Sequence, residues 1–155
     1  MVDEKGTARA AILQAGLACG VLDLTAAIVT SHAYGSGPQR LLQYVASGML
    51  GPAAFTGGWG TAAVGAACHF LIAFTAAAVF YLASTRLPVL TRRPVLSGLA
   101  YGFAVYLVMY WIVRPLSLIP QRPFAWFPTC LAIATHLVCV GLPISLAVYR
   151  VRRRR

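Results

Sequence analysis

Residues 62–83 have the sequence AAVGAACHFLIAFTAAAVFYLA, twenty-two consecutive residues without Asp, Glu, Lys or Arg. An α-helix rises about 1.5 Å per residue, so this stretch is long enough to cross a hydrocarbon core of about 30 Å. Three further stretches of the chain are about as long or longer and are also predominantly apolar, with at most one charged residue each. The sequence therefore predicts an all-α protein, a four-helix transmembrane bundle in one domain, with spans at residues 10–31, 62–83, 95–114 and 124–149.

The basic residues are distributed unequally between the two sides of the membrane that these spans define. Four spans place successive loops on alternate sides, and ten of the 13 basic residues then share the side of the two chain ends. The ten are Lys5, Arg9, Arg86, Arg92, Arg93, Arg150, Arg152, Arg153, Arg154 and Arg155, whereas Arg40, Arg114 and Arg122 lie opposite. Basic loops are retained in the cytoplasm. We therefore expect both the N-terminus and the C-terminus to be cytoplasmic.

The composition excludes an ordinary soluble domain. Apolar residues make up 59% of the chain and charged residues 10%, against about a quarter charged in soluble domains. The net charge of +10 lies in short loops and a tail beside the spans, which favours the lipid bilayer as partner and excludes nucleic acid. We expect the tail arginines to contact anionic phospholipid headgroups at the cytoplasmic face; they are Arg150, Arg152, Arg153, Arg154 and Arg155.

A short amphipathic helix is predicted at residues 38–50, between the first two spans. Pro38 is typical of a first helical position, and Gly51-Pro52 ends the pattern. Leu41, Leu42, Val45 and Met49 recur at helical spacing, with Gln39, Arg40, Gln43 and Ser47 on the other side. We expect this helix on the periplasmic side, lying in the interface or capping the bundle.

Two pairs of glycines are spaced for close helix packing. Gly16 and Gly20 lie in the first span, and Gly98 and Gly102 lie in the third. Small residues four apart on a helix allow a neighbouring backbone to approach.

The few ionisable side chains within the spans fall at similar depth. At 1.5 Å per residue, Asp23, His69 and His136 lie about 12, 10 and 15 Å below the periplasmic end of their helices. Tyr110 and Arg114 of the third span lie near the same level. Placing an ionisable group inside a membrane costs free energy, and such groups therefore mark functional sites. These five residues form the candidate cluster for binding a ligand or protons.

Three roles for this cluster stay open. It could be structural, with Asp23 paired to a histidine or to Arg114 to fix helix register. It could bind a small ligand or respond to protons, because an imidazole changes charge near neutral pH. His69 and His136 could instead ligate haem in a membrane redox subunit. No metal-ligand spacing is present, so we predict no metal site and no cofactor.

The sequence contains no motif of an enzyme, whereas a transport function stays an alternative. The chain contains no G-x-S-x-G elbow, phosphate loop or H-E-x-x-H motif, and no pair of carboxylates inside the spans. We therefore expect a non-enzymatic accessory protein. A small transporter stays an alternative and would require a homo-oligomer, since four helices enclose little pore; a larger membrane complex is also open.

Several segments, in chain order, carry a resemblance to a known kind of protein. They are Pro38-Gln39-Arg40-Leu41-Leu42-Gln43, Ala46-Ser47-Gly48-Met49-Leu50-Gly51, His69-Phe70 with Ala73-Phe74, Gly98-Leu99-Ala100-Tyr101-Gly102, and Arg114-Pro115-Leu116-Ser117. In these the chain resembles small, uncharacterised bacterial inner-membrane proteins of the YagU-like type. The resemblance implies a four-span protein of the bacterial cytoplasmic membrane. It implies no activity and transfers no binding residue.

Overall fold

The computed structural model describes residues 4–120 and 123–153, and within these ranges the chain forms six helices and no strand. They are α1 (Glu4–Ala33), α2 (Pro38–Leu50), α3 (Gly58–Arg86), α4 (Val89–Arg92), α5 (Pro94–Leu116) and α6 (Trp126–Arg153). Four of them, α1, α3, α5 and α6, are long and apolar enough to cross a membrane. The predicted all-α class with four transmembrane-length helices is confirmed, as expected of a multi-pass membrane protein.

The bundle has two unlike ends. We call the end that holds Glu4, α4 and Arg153 the terminal end, and the opposite end, which holds α2, the distal end. Along the bundle α3 packs on α1, α1 on α6, and α6 on α5. The helices α3 and α5 are thus the two outer members of this series.

The apolar core fills the terminal half of the bundle. Its buried members are Ala11, Ala15, Cys19, Ala73, Ala77, Phe80, Val140, Ile144 and Val148. In this half α3 and α5 also meet, because the Tyr101 hydroxyl donates to the Ala76 carbonyl over 2.7 Å. The Tyr101 ring packs edge-on against Phe80, with centroids 4.9 Å apart. Tyr101 therefore joins α5 to α3 in the terminal half.

Glycines allow α5 and α6 to touch backbone to backbone. A Cβ on Gly102 would lie 2.8 Å from the Cα of Leu137, and a Cβ on Gly141 would run into the backbone of Gly98 and Gly102. On α1, a Cβ on Gly20 would lie 2.7 Å from the Phe70 ring of α3. The small-residue faces on α1 and α5 are thus both used for contacts inside the bundle.

Two of the membrane-length helices contain a π-helical turn just ahead of a proline. The turn Met109–Val113 in α5 precedes Pro115, and the turn His136–Gly141 in α6 precedes Pro143. A proline ring collides with the carbonyl four residues earlier and supplies no N–H. The wider turn removes that collision, so that α5 continues through Pro115 to Leu116 where the sequence predicted a span ending at 114.

The helix α2 packs along α3 with part of its polar side turned inwards. Gln43 and Ser47 are buried, whereas Met49 is 67% exposed. The Gln43 amide donates to the Gly58 carbonyl over 3.1 Å, and the Ser47 hydroxyl donates to the Tyr44 carbonyl over 2.7 Å. Gln43 and Ser47 therefore bond to the protein, and part of the apolar side of this helix faces outwards.

Candidate functional site

The distal half of the bundle encloses a cavity of about 780 Å³. All five side chains of the predicted cluster line it: Asp23, His69, Tyr110, Arg114 and His136. The remaining lining residues are mainly apolar. Apolar cavities with a few convergent polar groups are the usual form of a small-molecule site.

The floor and roof of the cavity come from different parts of the fold. Cys19, Ala73 and Val140, the most distal members of the core, form the floor. The roof is the second half of α2 together with the segment after α5. These two are tied by a hydrogen bond in which the Leu118 N–H donates to the Gly48 carbonyl over 3.0 Å.

The cavity opens sideways, through the gap between α3 and α5. Leu71 and Ile72 of α3 and Met109 and Val113 of α5 line this side, and Leu71 is 68% exposed. The gap exists because α3 and α5 meet chiefly in the terminal half, at Tyr101. In a bilayer such an opening faces the hydrocarbon.

Asp23 and His69 form the centre of the polar cluster. The Asp23 carboxylate lies 4.0 Å from Nδ1 of His69, and Nε2 of that ring lies 2.9 Å from the Gly20 carbonyl. The Asp23–His69 distance suits an ion pair and exceeds a hydrogen bond. Because a carbonyl oxygen only accepts, Nε2 carries the hydrogen that faces Gly20. The His69 ring thus lies between the Gly20 carbonyl and the Asp23 carboxylate, both of α1.

His136 presents its ring to the cavity from the π turn of α6. Its Nδ1 lies 2.8 Å from the Ala132 carbonyl, so this nitrogen carries the hydrogen. In the neutral ring Nε2 is then a hydrogen-bond acceptor. The ring stands edge-on to Tyr106, with centroids 5.6 Å apart.

Tyr110 and Arg114 continue the cluster toward the distal end. The Tyr106 and Tyr110 rings stack with centroids 5.8 Å apart and planes 24° apart. The Arg114 guanidinium lies over the Tyr110 ring, 5.2 Å from its centroid, within the range of a cation–π contact. A ladder of aromatic rings therefore lines the α5 side of the cavity.

A second cavity of about 670 Å³ adjoins the first on its distal side. Asp23, Tyr44 and His136 line both cavities. The second cavity also reaches the exposed Arg40, whose guanidinium lies 4.1 Å from the centroid of the Phe55 ring. The Asp23 and His136 side chains can thus be approached from the bilayer side and from the distal surface.

Tyr106 forms a wall of the site but was left out of the predicted cluster, although its position in the third span puts it near the level of the cluster residues. Tyr106 lies four residues before Tyr110 and so shares its helix face, which is the signal that could have identified it. Tyr44 of α2 was also missed, because the position of α2 over the bundle is a tertiary property that no local pattern encodes.

The basic tail is described as far as Arg153. Arg152 donates to the Ser84 hydroxyl over 2.9 Å, and also to the Ser84 carbonyl. Arg153 donates to the Tyr149 hydroxyl over 3.1 Å. Arg150 is exposed, and Arg154 and Arg155 lie outside the described residues. Arg152 therefore ties the end of α6 to the end of α3, in addition to any contact with lipid.

Metal and haem ligation can be judged from the two histidines. Across residues 4–120 and 123–153, no three side chains of His, Cys, Asp or Glu come together as a metal site. Nε2 of His69 contacts the Gly20 carbonyl, whereas Nδ1 lies 4.0 Å from Asp23, beyond a hydrogen bond. Axial ligation of haem by His69 would therefore place the iron on the Asp23 side of the ring or break the contact with Gly20.

Comparisons with protein-family models, with curated proteins and with solved structures found no match.

Proposed function

We propose that this chain is a non-enzymatic protein of the bacterial cytoplasmic membrane that binds a small lipid-soluble ligand in the cavity between α3 and α5. The observation that carries the proposal is the convergence of the five cluster residues on one cavity. These residues lie on four different helices, α1, α3, α5 and α6. Only the packing of the whole bundle brings them together.

The surroundings of the cluster support binding over a structural role alone. An ion pair with a purely structural role requires no cavity beside it. In a close-packed bundle, neighbouring side chains would surround such a pair as they surround Phe80 in the core. Here the pair borders a cavity of about 780 Å³ that opens toward lipid. Asp23 remains 23% exposed and His69 15%. Side chains with free surface in an apolar cavity are placed to meet a ligand.

The orientation in the membrane is part of the proposal. The sorting of ten basic residues to the terminal end favours cytoplasmic termini, with Arg150 and Arg153 near anionic headgroups. The cavity then lies in the periplasmic half of the bilayer.

The test is saturable binding of a small aromatic probe, 1-aminoanthracene, to the protein in lipid nanodiscs, with empty nanodiscs as background. Ala132 lines both cavities, whereas Ala134 on the same helix is exposed and lines neither. We expect wild type and Ala134→Phe to bind the probe, and Ala132→Phe to lose most of the binding. Binding that is absent from wild type, or equal in all three proteins, would overturn the proposal.

A further inference from the structure

The chemical class of the ligand can be inferred from the cavity, on the premise that the proposed function is correct. Three features of the cavity bear on it: the direction of its opening, the balance of its charges and the shape of its walls.

The lateral opening of the first cavity admits a ligand that is dissolved in the bilayer. The cavity floor is the packed core, and the roof is α2 with the segment after α5. The side between α3 and α5 is lined by Leu71, Ile72, Met109 and Val113, all apolar. A molecule that enters this way crosses hydrocarbon, so it has an apolar body.

The polar end of the cavity favours an uncharged head that donates hydrogen bonds. The Asp23 carboxylate already faces His69 at 4.0 Å, and the Arg114 guanidinium already lies over the Tyr110 ring, so a charged head of either sign would compete with an existing contact. A carboxylate accepts hydrogen bonds, and so does Nε2 of His136 when Nδ1 donates to the Ala132 carbonyl. Two acceptors of this kind match hydroxyl groups on the ligand.

The walls favour a flat ring. The rings of Tyr106, Tyr110 and His136 stand together at the α5–α6 side, with the two tyrosine planes 24° apart. Aromatic side chains pack well against other rings, face to face with an offset or edge to face. A planar ring beside them would lie next to His136, in the cavity that Asp23 also lines.

We propose that the cavity binds a lipid-soluble hydroquinone, which enters from the bilayer between α3 and α5 and donates its hydroxyl groups to Asp23 and His136. The oxidised quinone has carbonyl oxygens, which only accept hydrogen bonds. Because these oxygens would face two acceptors, the cavity discriminates between the reduced and the oxidised form. The proposal concerns binding and requires no electron transfer by the protein.

The test is displacement of bound 1-aminoanthracene in nanodiscs by decylubiquinol, decylubiquinone and palmitate, under anaerobic conditions. We expect decylubiquinol to displace the probe at a concentration at least about fivefold lower than decylubiquinone, the size expected for one hydrogen bond. In His136→Phe the difference should shrink toward unity, while the probe still binds. His32→Phe, on an exposed side chain of α1, is the matched control and should keep the difference.

The possible outcomes distinguish failure of the hydroquinone assignment from failure of the proposed function. Equal displacement by the reduced and oxidised forms, no displacement by either, or stronger displacement by palmitate would overturn the hydroquinone assignment and leave the cavity as a binding site. A His136→Phe variant that keeps the full preference would also overturn it. A probe that never binds saturably contradicts the proposed function itself.

Discussion

Asp23 is the one acidic residue that follows Glu4 in the chain, and it lies within a transmembrane-length helix. A carboxylate at that depth is costly unless another group compensates its charge. His69 of α3 faces this carboxylate at 4.0 Å, and the Gly20 carbonyl contacts the other side of the His69 ring. The depth of both residues was predictable from their positions in the spans. Their facing one another was not, because it depends on how α1 and α3 are rotated.

The Asp23–His69 pair should show a small favourable coupling. We expect Asp23→Asn and His69→Gln each to lower the free energy of unfolding, and the double variant to lose less than the sum of the two. Polar contacts between membrane helices couple by about 0.6 kcal/mol on average and by about 1.7 at most. Unfolding in mixed micelles measures the cycle. Strictly additive losses would show that the two side chains do not interact.

At the scale of elements, the contact of α5 with α6 decides the shape of the site. Gly98 and Gly102 let the α6 backbone approach, and the π turn His136–Gly141 lies against them. That turn carries His136 to the cavity, and the π turn of α5 carries Tyr110 there. Pro143 and Pro115 were visible in the sequence and indicate disturbed turns. The sequence does not predict whether each turn widens or in which direction. Both depend on the backbone of the neighbouring helix.

Gly141 should be far less tolerant of a methyl group than a glycine elsewhere in the bundle. A Cβ at Gly141 would collide with the α5 backbone, which cannot rotate away as a side chain can. We expect Gly141→Ala to lower the free energy of unfolding by about 1–3 kcal/mol. In Gly60→Ala the Cβ would have nothing within 4 Å, so this variant should be neutral or slightly stabilised. Equal effects in the two variants would contradict the described α5–α6 contact.

The helix α2 shows where pattern reasoning from the sequence stops. Its apolar spacing predicts a helix, and the structure has one at Pro38–Leu50. The same pattern suggests that the polar side faces water. Gln43 is instead buried and bonds to the Gly58 carbonyl, because α2 lies against α3. Which side of an amphipathic helix meets the protein depends on the hydrogen-bond partners that the fold brings to it.

At the scale of the whole molecule, the four spans could be predicted and the cavity could not. Length and hydropathy are enough to identify membrane-length helices. The cavity arises because α3 and α5 are the outer members of the series α3, α1, α6, α5 and separate in the distal half. That order follows from which helix faces pack, and no single span contains the information.

The orientation of the whole bundle is tested by reporter fusions. We expect green fluorescent protein fused after Arg155 to fluoresce, since the predicted C-terminus is cytoplasmic and the reporter folds there. Alkaline phosphatase inserted after Gly57, between α2 and α3, should be active, since that enzyme needs the periplasm. Activity of the phosphatase at the C-terminus together with loss of fluorescence would reverse the proposed orientation.

The most direct test of the cavity as a binding site is to find where a bound probe lies. Illumination of the protein in nanodiscs with 1-azidoanthracene, followed by peptide mapping, would locate the covalent label. If the probe binds in the cavity, the label should lie at Cys68–Ile72 of α3 and at Tyr106–Val113 of α5. Excess 1-aminoanthracene should suppress this labelling. The labelling should be lost in Ala132→Phe and kept in Ala134→Phe. Label confined to exposed positions of the terminal half, such as Val79 and Leu82, and unaffected by competitor would contradict it.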